Sequence, residues 1–392
     1  MPDAVIVSAC RTAIGTARKG TLTETDAFEL GRVVVDESMS RTGLSPADID
    51  DLILGESLYG GGVIGRYVAV EAGLTNVPGL AQNRHCATGL ACVQTAAAGI
   101  RAGMDDAVIA GGTQSSSTGP VSTKRTPGTD EWVQWMSPSH PDRPDAPAWD
   151  MSITVGWNAA QLANVTREEM DAWALHSHEK AIAAIDEGRF RSEIVPMKVT
   201  TRDGSVVTFE VDEHPRRNTT MEKLASLAPL HPEIPGFSIT PGNSSGINDA
   251  ASALVITSDS FAAERGLTPM AVIRSWASVG VDPAETGMAP ITAIPKALRR
   301  AGLSVGDVDL FEINEAFASM CVATTRVLEI DPAIVNPNGS GCSLGHPIAA
   351  TGARMITTLT YELARRGGGI GVAAMCAGGG MGSATVIEVA GA

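Results

Sequence analysis

Paired cysteines are missing from this 392-residue chain: Cys10, Cys86, Cys92, Cys321, Cys342 and Cys376 fall at no regular spacing. That excludes a disulfide framework and a CxxC metal pattern, so no metal is expected, and a reducing compartment, the cytoplasm, is. Basic charge is also short, with 29 Lys and Arg against 44 Asp and Glu and a formal net charge of −15. The averaged field repels polyanions, which excludes nucleic acid as a general partner while leaving room for a local basic patch. No apolar run reaches bilayer-spanning length, so no membrane insertion is expected. The start, Met1 to Val7, enters a strand-like run without a basic region or cleavage site. The ending, Val389-Ala390-Gly391-Ala392, is not a peroxisomal address.

What is present suits a soluble globular protein of two or three domains, with 44% hydrophobic residues. The 42 glycines lie among apolar runs and imply tight turns and close backbone approaches. Val5 to Ala9 reads as a buried strand. Asp26 to Ser40 reads as a helix, with Phe28, Leu30, Val33 and Val34 near helical spacing. The phrase Arg41-Thr42-Gly43-Leu44-Ser45 through Asp48 and Asp50 precedes the strand Leu52 to Gly55. It returns as Arg300-Ala301-Gly302-Leu303-Ser304 through Asp307 and Asp309, before the strand Leu310 to Ile313. Val272 to Ser275 echoes Val5 to Ser8. This is a duplicated βα unit, and each half is expected to be a mixed sheet covered by helices.

Later in each half, Cys86 precedes the helical run Leu90 to Ile100 and the strand Ala107 to Ala110. His346 precedes the helical run Ala349 to Arg366 and the strand Ile370 to Met375. Halves packed about a pseudo-two-fold would bring these two helix N-termini face to face. Between the halves lies a passage with Pro127, Pro138, Pro141, Pro144 and Pro147. A helix capped by Thr166 and Glu169 then runs to about Glu187, and an alternating strand covers Val206 to Val211. The expected division is residues 1–115 with 247–268 as one half, 116–246 as a loop domain, and 269–392 as the other half.

Chemistry concentrates in four places. Cys86, in Gln82-Asn83-Arg84-His85-Cys86-Ala87-Thr88-Gly89-Leu90, sits where a helix N-terminus favours a thiolate, although free cysteine is often simply buried. Asn314-Glu315-Ala316-Phe317, Gly345-His346-Pro347 and Cys376-Ala377-Gly378-Gly379-Gly380 complete the set. Acyl transfer between thiols needs a nucleophile that is also a good leaving group, which a thiolate is. Histidine cycles a proton near neutral pH, and an enolate needs hydrogen-bond donors. The competing readings are bland: Asn314 as a helix cap, Cys376 beside a glycine turn, His346 as a turn residue. Cys10, Cys92 and Cys321 are assigned to packing.

Further stretches extend the pattern: Arg11-Thr12-Ala13-Ile14-Gly15, Thr166 to Asp171 with Ser177-His178, Glu193 to Pro196, and Gly242 to Ala251. On these motifs, in this order, nearly the whole chain resembles the thiolase family. The resemblance implies a five-layer α/β/α/β/α fold from two duplicated halves with an inserted loop domain, assembled as a homodimer or homotetramer. It also implies an acyltransferase that cleaves 3-ketoacyl-CoA thiolytically, or condenses in reverse, with CoA and acyl-CoA as substrates and no tightly bound cofactor. By the same resemblance Cys86 is the nucleophile, His346 takes its proton and Cys376 is the second acid/base. Asn314 holds a water, the N–H groups of Cys86 and Gly378 receive an oxyanion, and Arg216, Ser245 and Met151 border coenzyme A. Departures are Thr88 where serine is usual, Asp150 in place of a histidine before Met151, His231 where phenylalanine is usual, and Cys342-Ser343 ahead of His346. The weighed rivals are a non-catalytic acyl-CoA or lipid-binding scaffold and a decarboxylating condensing enzyme.

Overall fold

The strand AVIVSACR, Ala4–Arg11, is buried along nearly its whole length, as a strand covered on both faces must be. A computed structural model describes residues 1–391. Ala4–Arg11 pairs antiparallel with Asn248–Ser258, which pairs antiparallel with Ala107–Gln114. Asp51–Gly55 and Gly79–Gln82 extend this run in parallel. The second half repeats the order: Ala271–Gly280, Met381–Val389 and Gly369–Ala377 pair antiparallel, and Leu310–Ile313 adds in parallel. The two runs are not separate sheets. They join where Val5 faces Val272 and Ile6 faces Ala271, and with the short strand Gly15–Thr16 on Asn248–Ser258 they make one ten-stranded sheet among the described residues.

The duplicated phrase folds the same way twice. Gly43 and Gly302 end the helices Ala27–Thr42 and Ala289–Ala301 in the left-handed region, at φ 67° and 73°. A residue without Cβ adopts that conformation without steric cost. Ser45 with Asp48, and Ser304 with Asp307, then form matching capping boxes on single 3₁₀ turns.

Three apolar clusters mark the layers. One packs the helix Ala27–Thr42 on the outer face of the first half. A second packs Ala289–Ala301 and Ala318–Val327 on the outer face of the other half. The third lies between the halves and holds the helices Thr88–Arg101 and Thr351–Arg365. The result is the five-layer arrangement.

Within that middle layer the two helices touch at their N-terminal turns, backbone against backbone. A Cβ on Gly89 would lie 2.7 Å from the nitrogen of Ala353, and a Cβ on Gly352 would lie 2.2 Å from that of Leu90. Only glycine at both positions allows this approach, so the segments carrying Cys86 and His346 are brought together by missing side chains.

The inserted region carries the helix Arg167–Asp186, whose Thr166/Glu169 capping box forms as expected. The strand expected to reach Val211 stops at Phe209, because its partner Met197–Thr200 gives it only four residues to pair with. Fully buried Arg11 ties this region to the first strand through Glu193 at 2.6 Å and Asp212 at 2.7 and 2.9 Å. Removing one partner of such a pair leaves a buried charge, at about 3–5 kcal/mol.

The close approach sets the first expected outcome. Gly352→Ala should destabilise the protein by about 1–3 kcal/mol through overpacking, read as a lowered urea midpoint. An exposed control, Gly306→Ala, where a Cβ meets only Ser304 Oγ at 4.0 Å, should move it far less.

Candidate active site

Cys86 lies just ahead of the helix Thr88–Arg101, on a segment held in an uncommon conformation. His85 has φ 46°, in the left-handed region, and is kept there from both sides. Its N–H donates to Asn83 Oδ1 at 2.8 Å. Its carbonyl accepts from the Thr88 N–H at 3.1 Å and the Thr88 hydroxyl at 2.6 Å. Thr88 Oγ1 also accepts from the N–H of Arg84 at 2.8 Å. The methyl that distinguishes Thr88 from serine fits because residue 55 is glycine: a Cβ there would come within 2.3 Å of it.

Two opposing effects act on the thiolate expected at Cys86. Burial pushes its thiol up from the ordinary value, while the N–H groups of Gly378 and of Cys86 itself pull the other way and only partly offset it. Those two N–H groups nonetheless converge on the sulfur. Cys376 is buried and its thiol is raised by burial first, then by the neighbouring Cys86 charge. Its Sγ also lies 3.5 Å from Met320 Sδ.

His346 is the neutral partner. Burial, then the Arg354 charge, pushes its imidazole down to about 3. The hydrogen bonds assign its tautomer. Thr351 Oγ1 donates to the Pro347 carbonyl at 2.9 Å, which leaves it a lone pair toward His346 Nδ1 at 2.7 Å. Nδ1 therefore carries the proton and Nε2 is the free base. Asn314 Nδ2 approaches that Nε2 at 3.5 Å, while Asn314 Oδ1 has no hydrogen-bond partner among the described residues. The backbone of His346 is fixed by Asn248, whose Oδ1 accepts its N–H at 3.0 Å.

Asn314 is not a helix cap: the following helix, Ala318–Val327, is preceded by Phe317 at its cap position. Its N–H donates to the Ala374 carbonyl at 3.0 Å, two residues from Cys376. Its neighbour Glu315 is buried yet satisfied, accepting from Trp173 Nε1 at 3.0 Å, Ser177 Oγ at 2.6 Å, Asn336 Nδ2 at 2.8 Å and the Cys342 N–H at 3.1 Å. One carboxylate thus links the inserted helix, the Asn314 turn and the loop leading to His346. Cys342 belongs to this network, and Ser343 Oγ meets Ser177 Oγ at 2.7 Å.

The residues expected beside coenzyme A lie in two groups. Ser245 donates its N–H to the Ala316 carbonyl at 2.9 Å, and Ile247 forms a bridge with His346, so that stretch borders the catalytic turns. Arg216 is exposed, and its N–H donates to His178 Nδ1 at 3.1 Å. His178 is pushed down to about 4 by burial, His214 and Arg216; His214 is pushed down to about 4 by burial, Arg216 and Lys19. A cationic cluster thus stands in an acidic chain. Met151 is half-buried against the second cluster, and Asp150 Oδ2 meets His231 Nε2 at 2.8 Å. Asp150 and His231 therefore form one ion pair. Trp132, Trp135 and Trp149 nearby in sequence are exposed, and Trp157 packs on Phe237 with ring centroids 5.1 Å apart.

Cys10, Cys92 and Cys321 are fully buried, as assigned, though Cys10 and Cys321 each donate to a carbonyl, of Val34 and Asn314, at 3.4 Å. Sequence reasoning missed Asn248, Thr351 and the stretch Ser139-His140. Asn248 stood within a quoted motif, but nothing in the order of residues assigns its carbonyl to His346. A Cβ on Gly379 would fall 2.5 Å from the Ser139 carbonyl, so that stretch lies directly against the Gly378 turn.

A duplicated α/β scaffold that sets one thiol and an imidazole by facing helix ends, with a second thiol at the end of a neighbouring strand, suits thiol-based acyl transfer. Two family models match the chain: the thiolase N-terminal domain over residues 4–260 and the thiolase C-terminal domain over residues 267–389. The chain is 40% identical to the acetyl-CoA acetyltransferase of Syntrophomonas wolfei, across 98% of this chain and 99% of that one. Among solved structures it is similar to the Bacillus anthracis acetyl-CoA acetyltransferase, with TM-score 0.91 and 38% identity. It is similar also to human mitochondrial 3-ketoacyl-CoA thiolase, with TM-score 0.91 and 33% identity; each comparison covers 99% of both chains. The chain belongs to the thiolase family.

The raised Cys86 thiol has a direct consequence. Inactivation by iodoacetamide, with the modified residue identified by mass spectrometry, should accelerate continuously from about pH 7 to about pH 9 without a plateau. A plateau near neutral pH would show that the N–H groups outweigh burial.

Proposed function

We propose that this thiolase cleaves 3-ketoacyl-CoA with CoA to acetyl-CoA and a shortened acyl-CoA, or runs the reverse condensation, through an acyl group on Cys86. The observation that carries the reading is the convergence of the Cys86 and Gly378 N–H groups on the Cys86 sulfur, with a free-base His346 held beside Asn314.

His346 Nε2 takes the thiol proton as the Cys86 sulfur attacks the 3-keto carbon. The resulting oxyanion is held by the Cys86 and Gly378 N–H groups; one such donor contributes on the order of 3 kcal/mol. Cleavage of the bond between C2 and C3 leaves the acyl group on Cys86 and an enolate of acetyl-CoA. Protonated His346 and a water accepted by Asn314 Oδ1 hold the enolate oxygen. Cys376 gives its thiol proton to C2, then as thiolate takes the proton of the incoming CoA, whose sulfur displaces the acyl group from Cys86. His346 returns its proton to the departing Cys86 sulfur. Every proton is restored.

Arg216, with Lys19 and the two lowered histidines, is read as the phosphate-binding side, and Ser245 with Met151 as the border of the pantetheine arm. The division into residues 1–115 with 247–268, 116–246 and 269–392 follows from the same reading. A homo-oligomer is supported by the strand Gly79–Gln82, which ends the sheet with one neighbour, and by exposed Leu80, Tyr67 and Val70 beside it. Six free thiols support a reducing compartment. No helix among the described residues is long and apolar enough to cross a membrane.

Two outcomes test the chemistry. Cys86→Ala should abolish turnover, whereas Cys376→Ala should still show acyl mass on residue 86 after incubation with acyl-CoA yet fail to make or break the carbon–carbon bond. Acylation persisting in Cys86→Ala defeats the reading. For the phosphate side, Arg216→Ala should raise the KM for CoA about tenfold with kcat largely kept, as loss of uniform binding requires. Loss of kcat alone would contradict that assignment.

A further inference from the structure

His85 is not used by the chemistry above, yet it stands next to the nucleophile in a conformation that costs backbone strain. Its ring is half-buried and has no hydrogen-bond partner among the described residues. A Cβ on Gly378 would lie 3.8 Å from His85 Cγ and 3.7 Å from Ser139 Oγ. The imidazole and the hydroxyl therefore flank the residue whose N–H points at the Cys86 sulfur.

The hydrogen bonds define what each presents. His140 Nε2 meets the Ala146 carbonyl at 2.8 Å, and a carbonyl only accepts, so Nε2 carries the proton. His140 Nδ1 then accepts from Ser139 Oγ at 2.8 Å, which is well short of the 3.4 Å to the Ala148 carbonyl. The Ser139 hydroxyl proton is thereby occupied, and its oxygen presents lone pairs. Burial, then His140, holds the His85 ring below the ordinary histidine range, so it is neutral near pH 7 and offers one N–H.

The charge around this spot disfavours an anion. Asp142 accepts from the Ala148 N–H at 2.8 Å, and Asp145 and Asp282 share the single guanidinium of Arg143. Asp142, Asp145 and Asp282 thus set three carboxylates against the one guanidinium of Arg143, which leaves that guanidinium already paired and not free for an anionic acyl tail.

We propose that His85 and Ser139 are specificity-determining residues that select an acyl group bearing a neutral hydroxyl near the carbonyl attacked by Cys86. His85 donates its N–H to the hydroxyl oxygen, and Ser139 Oγ accepts the hydroxyl proton. This deepens the thiolase reading and rests on it.

The test compares thiolysis of the coenzyme A thioesters of 3-oxohexanoic acid and 5-hydroxy-3-oxohexanoic acid, matched in length. The unaltered enzyme should favour the hydroxylated compound in kcat/KM by about tenfold, as one to two net hydrogen bonds allow. That ratio should fall toward one in His85→Leu and in Ser139→Ala, and be largely kept in His85→Gln, which retains an N–H donor. No preference in the unaltered enzyme, or a ratio unmoved by His85→Leu and Ser139→Ala, would overturn the inference. If His85→Leu does not fold, Ser139→Ala and His85→Gln decide it. No thiolysis of either compound, or of any 3-ketoacyl-CoA, would instead remove the reading beneath it, and that outcome is distinguishable from thiolysis without preference.

Discussion

Everything else in the molecule depends on two helices approaching closely enough for their backbones to touch at Gly89 and Gly352. A helix N-terminus is a natural place for free N–H donors, because the N–H groups of its first turn have no carbonyl within the helix to donate to. One such end supplies the Cys86 segment, and the segment before the other supplies His346. Cys376 arrives from the adjoining strand Gly369–Ala377 and Asn314 from the end of Leu310–Ile313, which pair in parallel. The four groups of the proposed chemistry thus come from four different places in the fold. His346 alone is carried on a long connection, between the turn Pro332–Ile334 and the helix Thr351–Arg365.

Burial at these groups decides the resting state. Desolvation is the first cause of every shift at Cys86, Cys376 and His346, and it acts in opposite directions on thiols and imidazole. Both effects favour neutral forms: two thiols and a free-base histidine. A charged thiolate–imidazolium pair at rest is therefore disfavoured, which fits the proposed mechanism, in which proton transfer accompanies attack on substrate. The network around Glu315 serves the same end, because a buried carboxylate with four donors is fixed in place and so fixes the turns that carry Asn314 and His346.

Much of this was legible from the order of residues. The duplicated phrase gave matching helix ends at Gly43 and Gly302 and matching capping boxes, because those features are local and depend on a few residues with special backbone preferences. The facing helices followed from the matched places of Cys86 and His346. The opposing effects at Cys86 differ in legibility: a helix N-terminus is visible locally, whereas burial is contributed by residues far away in the chain. The joining of the two runs into one sheet rests on only two residue pairings, Val5 with Val272 and Ile6 with Ala271, too short for any pattern to signal. Asn248, Thr351 and Ser139 escaped notice for a related reason: each acts through a single hydrogen bond or contact whose partner is set only by the tertiary fold.

The departures from the family pattern illustrate the same limit in another form. Read one at a time, Asp150 is a lost histidine and His231 a lost aromatic, and each suggests a damaged pocket. In the fold they meet at 2.8 Å, with Glu233 on the other side of the ring at 2.8 Å. Glu233 first, and then Asp150, raise the His231 imidazole, so the pair is more favourable when protonated. The ring still packs edge-on against Phe237, with centroids 5.0 Å apart, and so keeps part of the aromatic role. Asp150 also accepts from the N–H and hydroxyl of Ser152 at 3.0 and 2.6 Å, which anchors the turn that follows Met151. The two side chains form one contact, so neither leaves an unpaired polar group in that wall. The half-exposed ion pair contributes little stability on its own, so its effect is on the polarity of that wall rather than on the integrity of the fold.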